Sequence, residues 1–190
     1  NLVSRTGRYK TFPLIGQIIT SIALVLLSRL HYNDSLVTVG IYMFIFGVGL
    51  GCTMQILVLI VQNSFSLAMV GTATGSNNFF RQVGGAVGSA LIGSMFMTNL
   101  KEQIGTHLPT AVQQAVAQGY PMDAVDKLQS ASRLTPAFVS HLPQVIQDAI
   151  AVSYNDALTP VFLLVAPLSI LAAILLALVH ETELSQTIER

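Results

Sequence analysis

The chain has 190 residues, of which 52% are hydrophobic and only 9% charged, with nine basic residues against nine acidic ones. A soluble domain carries about 25% charged residues to keep its surface in water, so this composition excludes an ordinary water-facing globule, and the balanced charge offers no basic footprint for nucleic acid. A single cysteine, Cys52, excludes an intrachain disulfide and any CxxC metal or redox motif.

The first stretch, NLVSRTGRYK, gathers Arg5, Arg8 and Lys10 with no initiator methionine and no signal peptide. The chain therefore reads as the C-terminal fragment of a longer membrane protein. A basic cluster beside an apolar run marks the cytoplasmic side of a membrane, so residues 1–11 are expected to form a cytoplasmic loop.

Charge then disappears in blocks. None occurs from Thr11 to Ser28, from Ser35 to Phe80, from Gln82 to Leu100 or from Ala157 to His180. A helix needs about 20 mostly apolar residues to cross a bilayer. Four spans are expected, at 12–30, 37–62, 72–97 and 158–179, with the first three making up a block 12–97 and the last ending near 180. Four crossings return the tail, 181–190, to the cytoplasm.

Two spans carry dense glycine. Gly47 and Gly51 are spaced four apart, as are Gly84 and Gly88, and Gly85, Ser89 and Gly93 form a parallel ridge. In lipid, small residues let helix backbones approach closely, so these glycines are expected to pack against other helices. GVGLG and GGAVG look like dinucleotide loops, but neither is GxGxxG and neither follows a strand. With no Walker lysine, HExxH or GxSxG pattern, no enzyme, cofactor or metal is expected.

The polar residues within the spans are the candidates for function, because intramembrane polar groups are expensive. Gln55 and Gln62 lie seven residues apart and so on one helix face. Met54 beside Gln55 offers an adaptable contact to apolar cargo. Asn77, Asn78 and Gln82 surround Arg81. Counted from residue 72, Arg81 stands roughly 13 Å into its span. It either snorkels to lipid phosphates or faces the interior and binds helix-end carbonyls or an acid; its polar neighbours favour the interior. No Asp or Glu falls inside any span, so a proton relay, if there is one, lies elsewhere.

Residues 98–157 are expected outside the cell as a helical loop. Ala111, Val112, Ala115 and Val116 form an apolar stripe at helical spacing, as do Met122, Val125 and Leu128, and again Val145, Ile146, Ala149 and Ile150. Pro109, Pro121, Pro136 and Pro143 punctuate them, which points to two to four short amphipathic helices. The expected fold is all-α and membrane-integral: four transmembrane helices with a large outer loop.

Several stretches resemble the major facilitator superfamily. SRTGRYK (4–10) is similar to the end of its GxLxDRxGRR loop signature, with Ser4 where the signature has Asp. The run from GLGCTMQILVLIVQNSF through GTATGSNNFFRQVGGAVGSALIGSMF resembles the twelfth and thirteenth helices of the fourteen-helix drug:H+ antiporters (EmrB/QacA type), and SYNDALTPVF resembles the entry to the last helix. The resemblance implies helices eleven to fourteen of a C-terminal bundle. Spans two and three would line the central cavity, with Gln55, Met54, Asn77, Asn78 and Gln82 near cargo. Arg5, Gly7 and Arg8 would belong to a cytoplasmic latch, and Arg81 to the cytoplasmic gate. It implies a plasma-membrane protein, bacterial, exporting small amphipathic or cationic drugs against protons by alternating access. Its partners would be the lipid bilayer and the transporter's N-terminal helices. Two other readings stay open: an exporter of one metabolite, sugar or siderophore, and a non-transporting scaffold or sensor that uses 98–157 to bind partners.

Overall fold

The computed structural model describes residues 11–119 and 139–178. The fold is all-α: four helices account for nearly all described residues, and no strand occurs among them. They are α1 (Thr11–Leu27), α2 (Leu36–Asn63), α3 (Leu67–Ala117) and α4 (Gln144–Leu178). Residues 1–10, with Arg5, Gly7 and Arg8, lie outside the described residues, as do the Met122–Leu128 stripe, Pro121, Pro136 and the tail.

Local signals shape α1, α2 and the turn between them. α1 carries Pro13 in its first turn, where no intrahelical donor is needed. Its C-terminal end tightens at Ser28 to Leu30, with Arg29 N–H donating to Leu26 O at 3.1 Å. Asp34 then holds a turn by accepting from the His31 backbone N–H at 2.8 Å. At 17 residues, α1 stops short of the expected residue 30. Ser35 caps α2, its side chain accepting from the Val37 N–H at 3.2 Å. α2 runs 28 residues and encloses the expected span 37–62. Three helices, α2, α3 and α4, are long and apolar enough to cross a membrane, and α1 is a shorter apolar helix.

The third and fourth helices depart from expectation. α3 has 51 residues, roughly 76 Å at 1.5 Å per residue and more than twice the ~30 Å of a hydrocarbon core. It begins five residues before 72, and runs through Pro109 rather than breaking there. A proline removes the donor to the carbonyl four residues earlier. That carbonyl belongs to Gly105, an exposed residue, where a carbonyl freed of its N–H partner is tolerated. α3 ends where Gly119 takes φ +92°, a conformation that favours glycine at a helix C-terminus. α4 likewise begins at Gln144, well before the expected 158, and passes through Pro160 and Pro167. Residues 98–117 and 144–157 are therefore extensions of α3 and α4 rather than separate short helices.

The two extensions run antiparallel: Asn99 reaches the Ala157 carbonyl at 3.4 Å, while Ala115 shares a cluster with Ile146. That cluster, Leu108, Ala111, Ala115, Ile146 and Ile150, unites two of the apolar stripes read from the sequence, with Val112, Val145 and Ala149 packed around it. Charged residues at Lys101, Glu102, Asp148 and Asp156 flank it, and burying a residue such as Ile146 from water contributes about 2 kcal/mol.

α1 lies between α2 and α4, and α4 meets α3 along their extensions, giving the order α2–α1–α4–α3. α2 and α3 are the two edges and touch each other little.

Candidate substrate path and its supporting seams

Two seams on α1 hold it to α2, one of the edges, and to α4. The first joins α1 to α2 through a Gly-xxx-Thr pair on each helix. A Cβ at Gly16 would lie 2.8 Å from the Gly49 carbonyl and 2.7 Å from Thr53 Oγ1; a Cβ at Gly49 would lie 2.8 Å from the Gly16 carbonyl and also strike Thr20 Oγ1. Only glycine allows this approach. The threonines return their hydroxyls to the same turns, Thr20 to the Gly16 carbonyl at 2.9 Å and Thr53 to the Gly49 carbonyl at 3.0 Å. No polar group at the contact is left without a partner, which is the packing that lipid favours over hydrophobic burial.

The second seam joins α1 to α4. Gln17 Nε2 donates to Ser169 Oγ at 2.9 Å and to the Ser169 carbonyl at 3.2 Å, and the Ser21 and Ser169 hydroxyls lie 2.9 Å apart. The sequence reading missed both seams. The signal for the first was present, as small-xxx-small with threonine counted as small.

The glycines singled out from the sequence lie elsewhere. Around Gly47, Gly51, Gly84, Gly85, Gly88 and Gly93, a Cβ would meet nothing within 4 Å. The close contact in this chain is made by Gly49. At 100° per residue it points about 200° away from both Gly47 and Gly51, so the glycine face opposite theirs meets α1.

The polar candidates sit on the same open sides. On α2, Gly49, Thr53 and Ile60 are buried. Gln55, two residues past Thr53, faces away from α1 and is exposed, as is Met54. On α3 no residue before Leu100 is buried. Asn77 and Asn78 are half-buried, and Arg81 and Gln82 exposed. Asn78, Gln82, Gly85 and Ser89 follow one another at helical spacing, a polar and small face. Phe80, Val87 and Leu91 are exposed on the opposite side. Among the described residues no ion pair reaches Arg81, and no group of three metal-ligating side chains occurs.

On the extensions, His107 Nε2 of α3 lies 3.5 Å from Asp156 Oδ2 of α4. Side chains lean toward the N-terminus of their own helix, so these two antiparallel residues lean toward each other. Both are more than a third exposed, which limits such a pair to about 0–1 kcal/mol.

No family model and no solved structure matches the chain. It is 34% identical, over 97% of its length, to an uncharacterized MFS-type transporter of Mycobacterium tuberculosis, of which the match covers 25%. It is 29% identical, over 90% of its length, to the efflux pump aunC of Aspergillus niger, of which it covers 31%. Over 43% of its length it is 34% identical to the multidrug transporter protein MdtP of Bacillus subtilis, covering 15% of that protein. The chain thus spans about a quarter of the length of the first of these relatives. An all-α, largely uncharged set of long helices, similar over nearly its whole length to transporters of that name, supports membership of the major facilitator superfamily.

Proposed function

We propose that the chain is the part of a fourteen-helix multidrug efflux transporter that contains helices eleven to fourteen, working by proton-coupled antiport and alternating access. α2 and α3 line the cargo path, and α1 and α4 brace them from behind. The observation that carries this reading is the stretch of α3 before Leu100: it has no buried residue, yet it holds Asn77, Asn78, Arg81 and Gln82 in a run with no other charge. Left to lipid, such groups are costly; against further helices enclosing a wet cavity, they are satisfied. The same helices would cover the ridges at Gly47, Gly51, Gly84, Gly85, Gly88 and Gly93. The relatives named as a multidrug transporter and an efflux pump support export.

In this reading the cargo is an amphipathic, often cationic molecule that meets Met54, Gln55, Asn77, Asn78 and Gln82. Arg81 holds the cytoplasmic end of the path, and Arg5, Gly7 and Arg8 form part of a cytoplasmic latch. Both chain ends are cytoplasmic in a bacterial plasma membrane, and protons enter through carboxylates outside these four helices. The test is cross-resistance. Cells expressing the full-length protein should export several unrelated cationic dyes, and Gln55→Ala should change the ranking of those dyes while leaving membrane insertion intact. Export of one compound alone would replace this reading with that of a specific metabolite exporter.

A further inference from the structure

Outside the apolar part, the α3 and α4 extensions enclose an open groove of about 460 Å³, a volume within the 300–1,000 Å³ range of small-molecule sites. Its floor is apolar, formed by Ala111, Val145, Ala149 and Val152, and its walls include His107 and Asp148. The two carboxylates of α4 here are in different situations. Asp156 is engaged by His107 at 3.5 Å. Asp148 meets no cation among the described residues; its Oδ1 accepts from Gln144 Nε2 at 2.9 Å, one turn away, which fixes the direction of the carboxylate. An oriented negative charge thus stands at the rim of an apolar trough, with the neighbouring imidazole already paired elsewhere.

We infer that this groove binds a monovalent organic cation, with Asp148 meeting its charge and the Ala111–Ala149 floor its apolar body. An inorganic ion would have no use for the floor and too few ligands at the wall; a neutral apolar molecule would gain nothing from Asp148. The inference adds an extramembrane site to the transport reading and rests on that reading only for the choice of probe.

The test is titration of the full chain in lipid nanodiscs with tetraphenylphosphonium, followed by calorimetry with empty nanodiscs subtracted. Saturable binding is expected, weakened about threefold to fivefold by Asp148→Asn, the scale of a part-exposed charge contact. Ala149→Leu, which fills the trough, should weaken it at least as much. Triphenylphosphine oxide, the neutral analogue, should not distinguish wild type from Asp148→Asn. If Ala149→Leu fails to fold, Asp148→Asn still decides, since Asp148 is exposed. Unchanged affinity in Asp148→Asn, or no saturable binding by wild type, overturns the inference. Binding lost in Gln55→Ala but kept in Asp148→Asn overturns it while leaving the intramembrane path standing, and dye export by the full transporter decides the transport reading separately.

Discussion

Gly16 of α1 and Gly49 of α2 each stand where an added Cβ would come within 2.8 Å of the other's carbonyl oxygen. The contact is reciprocal, so neither helix can relieve a side chain on the other without moving its backbone. Overpacking of this kind costs about 1–3 kcal/mol. Gly16→Ala and Gly49→Ala should each lower the thermal midpoint of the purified chain in detergent, whereas Gly47→Ala and Gly51→Ala, which meet open space in this chain, should leave it unchanged or slightly raised through helix propensity. Equal loss at Gly47 and Gly49 would show that the helices pack by another face.

Gln17 and Ser169 offer a second measure of how the apolar part is held. Interhelical hydrogen bonds in membranes average about 0.6 kcal/mol and reach about 1.7. The Gln17 amide reaches both the hydroxyl and the carbonyl of Ser169, so Ser169→Ala removes the first of these bonds, together with the Ser21 hydroxyl contact, and keeps the second. A double-mutant cycle of Gln17→Ala with Ser169→Ala should give a coupling near 0.5–1 kcal/mol. Zero coupling would mean that the two side chains do not meet in the bilayer.

These two seams show where the sequence was legible and where it was not. Charge-free blocks located α2 and the later part of α4 because lipid excludes charge whatever the tertiary fold. The Ala111–Ala115 and Val145–Ile150 stripes were also legible, since water drives any such stripe to find a partner, and they found each other. Helix ends were harder. Pro109 read as a break, yet the exposed Gly105 carbonyl makes it tolerable. Which glycine face packs was not legible from spacing: Gly47, Gly49 and Gly51 offer two opposite faces, and only the position of α1 selects one. Gln17 and Ser169 are far apart in the chain and have no pattern in common, so nothing local signals their pairing.

The antiparallel extension should behave as a small water-side hairpin. Ile146 is 1% exposed, and Ile146→Ala should destabilise the hairpin by about 2–5 kcal/mol. Hydrogen exchange should then quicken over 104–117 and 144–152 while amides of α2 stay protected. His107→Ala removes only a half-exposed pair and should cost no more than about 1 kcal/mol. Pro109→Ala restores a helical donor and should slow exchange around Gly105. An Ile146→Ala protein whose extension exchanges at the wild-type rate would show that the cluster does not hold the hairpin.

Arg81 is best tested by the shape of its side chain rather than by its charge alone. It lies 14 residues after the start of α3 at Leu67, roughly 21 Å along the axis. Lys101 follows a further 20 residues on, roughly 30 Å away, about one hydrocarbon core. If Lys101 marks one membrane face, Arg81 stands near the other, within reach both of lipid phosphates and of any gate closing there. The two roles differ in what lysine can replace. A cation that snorkels needs only charge and length, so Arg81→Lys would keep full activity. A guanidinium that clamps helix-end carbonyls uses its planar fork, which an ammonium cannot copy. In the full-length protein, Arg81→Ala should abolish ethidium efflux at unchanged surface expression. Arg81→Lys should retain less than about a tenth of the rate, a loss of roughly 1.4 kcal/mol or more in the rate-limiting step. Wild-type efflux by Arg81→Lys would assign the residue to the lipid interface, and wild-type efflux by Arg81→Ala would remove it from the transport path altogether.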